Sequence, residues 1–103
     1  MKFGLLKEEI ASINKIFSEY PAISKVILYG SRAKGNFRPA SDIDLTIEAE
    51  GFDLSDLFDL ENRLDDMLLP YKIDLSIKKH INNQELLDHI NRVGKIFYIR
   101  NNA

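Results

Sequence analysis

At 103 residues with 45% hydrophobic content, the chain can bury one core but is too short for two ordinary domains, so a single domain over residues 1–103 is expected. Fourteen basic against sixteen acidic residues leave a net charge of −2, which offers no general attraction to nucleic acid, and no direct nucleic-acid binding is expected. The absence of cysteine excludes a disulfide framework, and no stretch forms a signal-peptide core or approaches membrane-spanning length, so a cytoplasmic protein with no membrane partner is the economical reading.

In chain order, residues 4 to 19 carry Leu6, Ile10, Ile13, Ile16 and Phe17 at helical spacing, and Pro21 follows as a stop. Val26-Ile27-Leu28-Tyr29 reads as a buried first strand, from about Lys25. Gly30 follows it, and the segment from Ser31 to Lys34 can open a short helix in a loop that runs to Ala40. A second strand spans about Asp42 to Glu48, with two-residue alternation in Ile43-Asp44-Leu45-Thr46-Ile47. Asp53 is placed to cap a helix reaching Leu69, with Leu57, Leu60, Leu64 and Leu68 on one stripe and Pro70 as the stop. In the third strand, Tyr71 to Ile77, residues Ile73, Leu75 and Ile77 occupy one face and Asp74 the other. After a loop from Lys78 to Asn83, Asn83 caps a last helix with Glu85 in its first turn, Leu86, Leu87 and Ile90 inward and Gly94 at its end; Lys95 to Ile99 form a final strand. These elements make an α/β chain of the α+β type, a mixed sheet with helices packed on it, and no linker or internal repeat divides it.

The chemistry lies at the strand ends. Asp42 and Asp44 are two residues apart in a strand, which puts both carboxylates on one face with backbones roughly 6.6 Å apart. Asp74 can supply a third carboxylate. Three anions on one sheet face repel one another unless cations lie between them, and oxygen-only ligands favour Mg²⁺ or Mn²⁺ over zinc. Gly30 at a strand-to-helix junction lets backbone N–H groups approach phosphate oxygens, and the Ser31 hydroxyl adds a donor. Arg32 and Lys34, with Arg38 in the next loop, put positive charge where a triphosphate would lie. For Gly30 to face Asp42, the first two strands should run antiparallel if adjacent. A right-handed parallel crossover from the second strand to the third then brings Asp74 alongside.

The ordered set Gly30-Ser31-Arg32-Ala33-Lys34-Gly35, Ser41-Asp42-Ile43-Asp44-Leu45 and Ile73-Asp74-Leu75 resembles the minimal nucleotidyltransferases of the polymerase-β-like superfamily. The resemblance implies that superfamily's fold and transfer of a nucleoside monophosphate, most often AMP from ATP, to an acceptor hydroxyl with release of pyrophosphate. It implies that Asp42 and Asp44 ligate both metals, that Asp74 holds the second and helps deprotonate the acceptor, and that Gly30 and Ser31 hold the β- and γ-phosphates. Small proteins of this type resemble antitoxins paired with helical HEPN-domain partners, some of which receive AMP on a tyrosine. Two alternatives accompany this reading: a non-catalytic nucleotide-binding or scaffolding subunit, and a transferase acting on a small molecule such as an aminoglycoside.

Other residues have plainer expectations. His80 and His89, nine apart, lack metal-ligand spacing and suit surface or capping roles. Tyr20, Tyr29, Tyr71 and Tyr98 are expected at core edges, and Lys78 and Lys79 as exposed strand-end charges. Eight acids between Glu48 and Asp66 accompany only Arg63, a run that suits a solvated helix face or a dock for a basic protein surface.

Overall fold

The computed structural model describes residues 1–101. Its elements are α1 (Lys7–Ser18), β1 (Ile23–Tyr29), α2 (Ser31–Lys34), β2 (Ile43–Ala49), α3 (Leu54–Asp65), β3 (Ile73–Ile77), a 3₁₀ turn (Lys78–His80), α4 (Gln84–Val93) and β4 (Lys95–Ile99). The strands form one sheet in the order β3-β2-β1-β4. β1 runs antiparallel to both β2 and β4, whereas β2 and β3 are parallel and joined through α3. This is the mixed sheet that the position of Gly30 and the aspartates requires.

Strand alternation separates the two faces. Val26 and Leu28 of β1, Ile43, Leu45 and Ile47 of β2, and Leu75 and Ile77 of β3 are buried in one core with Ile13 and Phe17 of α1 and Leu57, Leu60 and Leu64 of α3. Full burial of such a side chain contributes about 1.5–3 kcal/mol, so this layer dominates the stability of the sheet. The opposite face carries Tyr29, Asp44, Thr46, Glu48, Asp74 and Ser76, and α4 lies against β1 on that side, with Gly94 beside the Ile27 side chain.

The caps explain where the helices begin. Asp53 Oδ1 accepts the Asp56 N–H at 3.0 Å while Asp56 Oδ2 accepts the Asp53 N–H at 3.0 Å, a reciprocal box that starts α3 as expected. Asn83 Oδ1 accepts from the Leu86 N–H at 3.1 Å and starts α4.

Two apolar residues depart from their expected stripes. α1 starts at Lys7 rather than near residue 4; Leu6 is its extended N-cap and is 49% exposed, while Leu5 is fully buried. The cause is a tight turn at Phe3 and Gly4, both at positive φ and closed by paired hydrogen bonds between Lys2 and Leu5, which swings Leu5 inward. Leu68, expected as the fourth core position of α3, is 88% exposed at φ 54°. α3 ends at Asp65, and the turn before Pro70 sends Met67 and Leu69 to the core and Leu68 outward.

Candidate active site

At the end of β1 and the beginnings of β2 and β3, three side chains stand in one rung. Tyr29 is the cross-strand partner of Asp44, and Asp44 is the in-register partner of Asp74. Neighbouring strands are about 4.8 Å apart, so two carboxylates here are held side by side by backbone pairing alone. Asp42 lies one residue before β2, exposed and near enough to act on Asp44. One rung further along, the Ser76 hydroxyl donates to Thr46 Oγ1 at 2.9 Å.

The electrostatics follow from this crowding. Burial pushes the Asp44 carboxyl above the usual carboxylate value, and the charges of Asp74 and Asp42 push it further. Burial also raises the Tyr29 phenol; the nearby Ser76 hydroxyl opposes that, and the charges of Asp44 and Asp74 add to it. Among the described residues, no three His, Cys, Asp or Glu side chains close on a single ion. The donors are nevertheless hard oxygens under mutual repulsion, and a cation relieves that repulsion. Mg²⁺ characteristically takes one or two carboxylates and completes its shell with water and substrate phosphates, so an open carboxylate set of this kind fits it.

Gly30 has no room for any other residue. A Cβ there would lie 2.3 Å from Asp44 Oδ2, and its φ of 76° is one that L side chains rarely adopt. Its carbonyl accepts the Lys34 N–H, and Ser31, half-buried, starts α2. Gly30, Ser31, Asp42, Asp44 and Asp74 are therefore brought to the same end of the sheet.

Arg32 is not. Expected to meet a triphosphate, it is only 2% exposed and its guanidinium is spent on main-chain carbonyls. Nε and Nη2 donate to Ser41 O at 3.1 and 2.9 Å, Nη2 also to Pro39 O at 3.1 Å, and Nη1 to Phe3 O at 2.9 Å. The rings of Phe37 and Tyr71 lie 5.1 and 4.9 Å from its central carbon. The planar fork spreads its donors over three carbonyls, and here it pins the loop leading into Asp42 to the N-terminal turn. Lys34 and Arg38 remain on the surface as the exposed cations of this segment.

His89 and Tyr29 have larger roles than expected of them. His89 Nε2 accepts the Gly30 N–H at 3.1 Å, and its ring meets Tyr29 edge-on at 6.1 Å. A signal for it existed: Leu86, His89, Ile90 and Val93 follow the i, i+3, i+4, i+7 spacing of one helix stripe, which places a polar ring on the inward side of α4. His80 is exposed, and Lys78 and Lys79 pair with Glu48 at 3.2 Å and Glu50 at 2.6 Å. The acidic run is partly spent within the fold, on those lysines, on the α3 cap and on the Tyr20 hydroxyl, which donates to Asp59. Cavities of about 380 Å³ beside Glu48, Lys78 and Leu87 and about 440 Å³ beside Lys2 and Ile10 lie away from the aspartates.

A mixed sheet with a glycine-serine turn facing paired aspartates defines a nucleotidyltransferase fold, and sequence comparison agrees. The profile of the family "Polymerase beta, Nucleotidyltransferase" matches residues 11–103, and the chain belongs to that family; as an enzyme it is a nucleotidyltransferase. Two proteins of Methanocaldococcus jannaschii are similar to it over 79 residues, 76% of this chain and 80% of theirs. They are "Putative protein adenylyltransferase MJ1217" at 37% identity and "Putative protein adenylyltransferase MJ0126" at 35%. Among solved structures, a chain of a toxin–antitoxin crystal structure with AMP-PNP superposes with a TM-score of 0.70 at 22% identity, covering 93% of this chain and 75% of that one. A chain from a complex of tri-AMPylated Shewanella oneidensis HEPN toxin with MNT antitoxin gives 0.67 at 20% identity, over 91% and 72%. Among the described residues no helix is long and apolar enough to cross a membrane.

Proposed function

We propose that residues 1–103 form one nucleotidyltransferase domain that moves AMP from ATP to a hydroxyl of a helical HEPN-type partner protein, as the cytoplasmic antitoxin of a toxin–antitoxin pair. The observation that carries this reading is the in-register pairing of Asp44 with Asp74, next to Asp42 and opposite Gly30 and Ser31. The protein-adenylyltransferase names of its relatives and the HEPN complexes among its structural neighbours support the acceptor class.

In this reading Ser31 holds the β- and γ-phosphates and Gly30 keeps the space beside Asp44 clear. Asp42, Asp44 and Asp74 would hold Mg²⁺ or Mn²⁺, which when bound would supply neutralisation of the phosphate charge. Asp74, exposed at the outer strand, takes the proton of the acceptor hydroxyl. The acceptor oxygen forms a bond to the α-phosphorus as the bond to the bridging oxygen breaks, and pyrophosphate leaves. The aspartates lie on an open shelf, so the acceptor is presented by another protein rather than enclosed by this chain.

Incubation with α-labelled ATP and Mg²⁺ or Mn²⁺, with and without the product of the adjacent gene, tests this. Label on that partner with the native protein but not with Asp42→Asn or Asp44→Asn is the expected result. A stable complex that never acquires label would replace transfer by a scaffolding role, and label on an aminoglycoside in a parallel incubation that contains one would replace the protein acceptor by a small molecule.

A further inference from the structure

His89 is a polar side chain on the inward stripe of α4, and neither the metal set nor the phosphate contacts proposed above employ it. Its Nε2 lies 3.1 Å from the Gly30 nitrogen and accepts that N–H, across 59 residues of sequence. An N–H makes one well-aligned hydrogen bond, and this one is directed at an imidazole nitrogen. The amide commonly assigned to phosphate at a strand–glycine–helix turn is, in this chain, committed to a side chain of its own fold. The same ring stands edge-on to Tyr29, the residue before Gly30, at 6.1 Å and 82°. The two contacts hold both residues at the end of β1 against α4.

The tether matters because of the residue it holds. Gly30, at φ 76° and ψ −157°, occupies a region open to glycine, and a glycine peptide left to itself samples several orientations. Rotation of that peptide would shift Ser31 at its C-terminal side and the clearance beside Asp44, whose Oδ2 occupies the space a Cβ would fill.

We propose that His89 is a positioning residue of the nucleotide site: by accepting the Gly30 N–H it fixes the Gly30–Ser31 turn and withdraws the Gly30 amide from phosphate recognition, leaving Ser31 as the turn's phosphate contact. The inference rests on the transfer reading for its effect on ATP, but the tether itself exists without nucleotide and is measurable without it.

The test compares His89→Leu, which removes the acceptor, with His89→Gln, whose Oε1 can reach the same amide, and His89→Asn, whose shorter side chain cannot. Hydrogen exchange of the Gly30 amide in the protein alone is followed by NMR; KM for ATP, kcat and the ATP dissociation constant are measured with Mg²⁺. Expected are Gly30 exchange at least tenfold faster in the Leu and Asn variants, a KM and dissociation constant raised about fivefold, the worth of one ordinary hydrogen bond, and kcat changed less than twofold. The Gln variant should restore all three. Unchanged Gly30 exchange in His89→Leu would overturn the tether. ATP binding that is unchanged or tighter in that variant would overturn the assignment of the Gly30 amide, since freeing a phosphate donor strengthens binding. A Gln variant that behaves as Leu does would reduce His89 to packing. Wild-type protein that binds ATP but labels no acceptor would sink the transfer reading and leave the exchange and binding comparisons to judge His89.

Discussion

The two faces of the sheet are built from the same strands by alternate residues, yet they follow opposite rules. On the core side, Ile43, Leu45 and Ile47 meet α1 and α3 with no exposure at all, and every neighbour favours its neighbour. On the other side Asp44 is half-buried beside Asp74 and near Asp42, an arrangement in which like charges raise one another's cost. A chain does not place carboxylates in adjacent strands for stability, so the apolar face carries the free energy that lets the acidic face exist. Sites where local rules fail while the fold around them obeys are where function is sought first.

That contrast is sharpest at Asp44 and Asp74. Replacing either with Asn should lower transfer by on the order of 10³-fold or more, as loss of a charge-organising group does in phosphoryl transfer. The thermal midpoint should stay unchanged or rise, as like-charge repulsion is removed. The stability effect has a definite pH dependence. A carboxyl whose value in the fold lies above its unfolded value binds its proton more tightly when folded. It therefore stabilises the fold at pH below the unfolded value, and that contribution is lost as pH rises through the raised value. The advantage of Asp44→Asn over the native protein should thus be greatest near neutral pH and shrink on acidification, measured by thermal melts across pH. Collapse of the fold in these variants would mean that the carboxylates are structural.

Arg32 belongs to neither face, and its substitution separates a clasp from a ligand. Arg32→Lys keeps the charge but cannot reach three carbonyls, and each acceptor left unsatisfied in a buried place costs about 1–3 kcal/mol. A loss of several kcal/mol in chemical denaturation is expected, with KM for ATP little changed in the molecules that remain folded. A raised KM with full stability would return Arg32 to the triphosphate. The smallest effect is expected at Leu68: Leu68→Gln should alter stability by no more than about 0.5 kcal/mol, whereas Leu64→Ala, inside α3, should cost about 2–5 kcal/mol.

What the sequence discloses depends on how local the cause is. Alternation in Ile43–Ile47 and Ile73–Ile77 fixes both faces, Asp53 and Asn83 announce their helices, and the aspartate spacing carries the acidic end of the site. The rest needs contacts distant in the chain. Arg32 reads as a charge for a triphosphate until Phe3, Pro39 and Ser41 turn their carbonyls toward it. Leu68 continues a helical period that the helix no longer follows. His89 reads as a helix-surface residue unless its place on the Leu86–Ile90 stripe is noticed, and even then its partner lies 59 positions away.

The parallel pairing of β2 with β3 matches Ile43 with Ile73 and Leu45 with Leu75 as well as Asp44 with Asp74. A slip of one residue would turn Asp74 into the apolar layer and send Ile73, Leu75 and Ile77 into water, a cost no single domain of this size can absorb. Molecules out of step by one residue at the aspartates therefore lose the core as well and do not persist as folded protein. The pairing that buries the core is thus the same pairing that sets Asp44 beside Asp74.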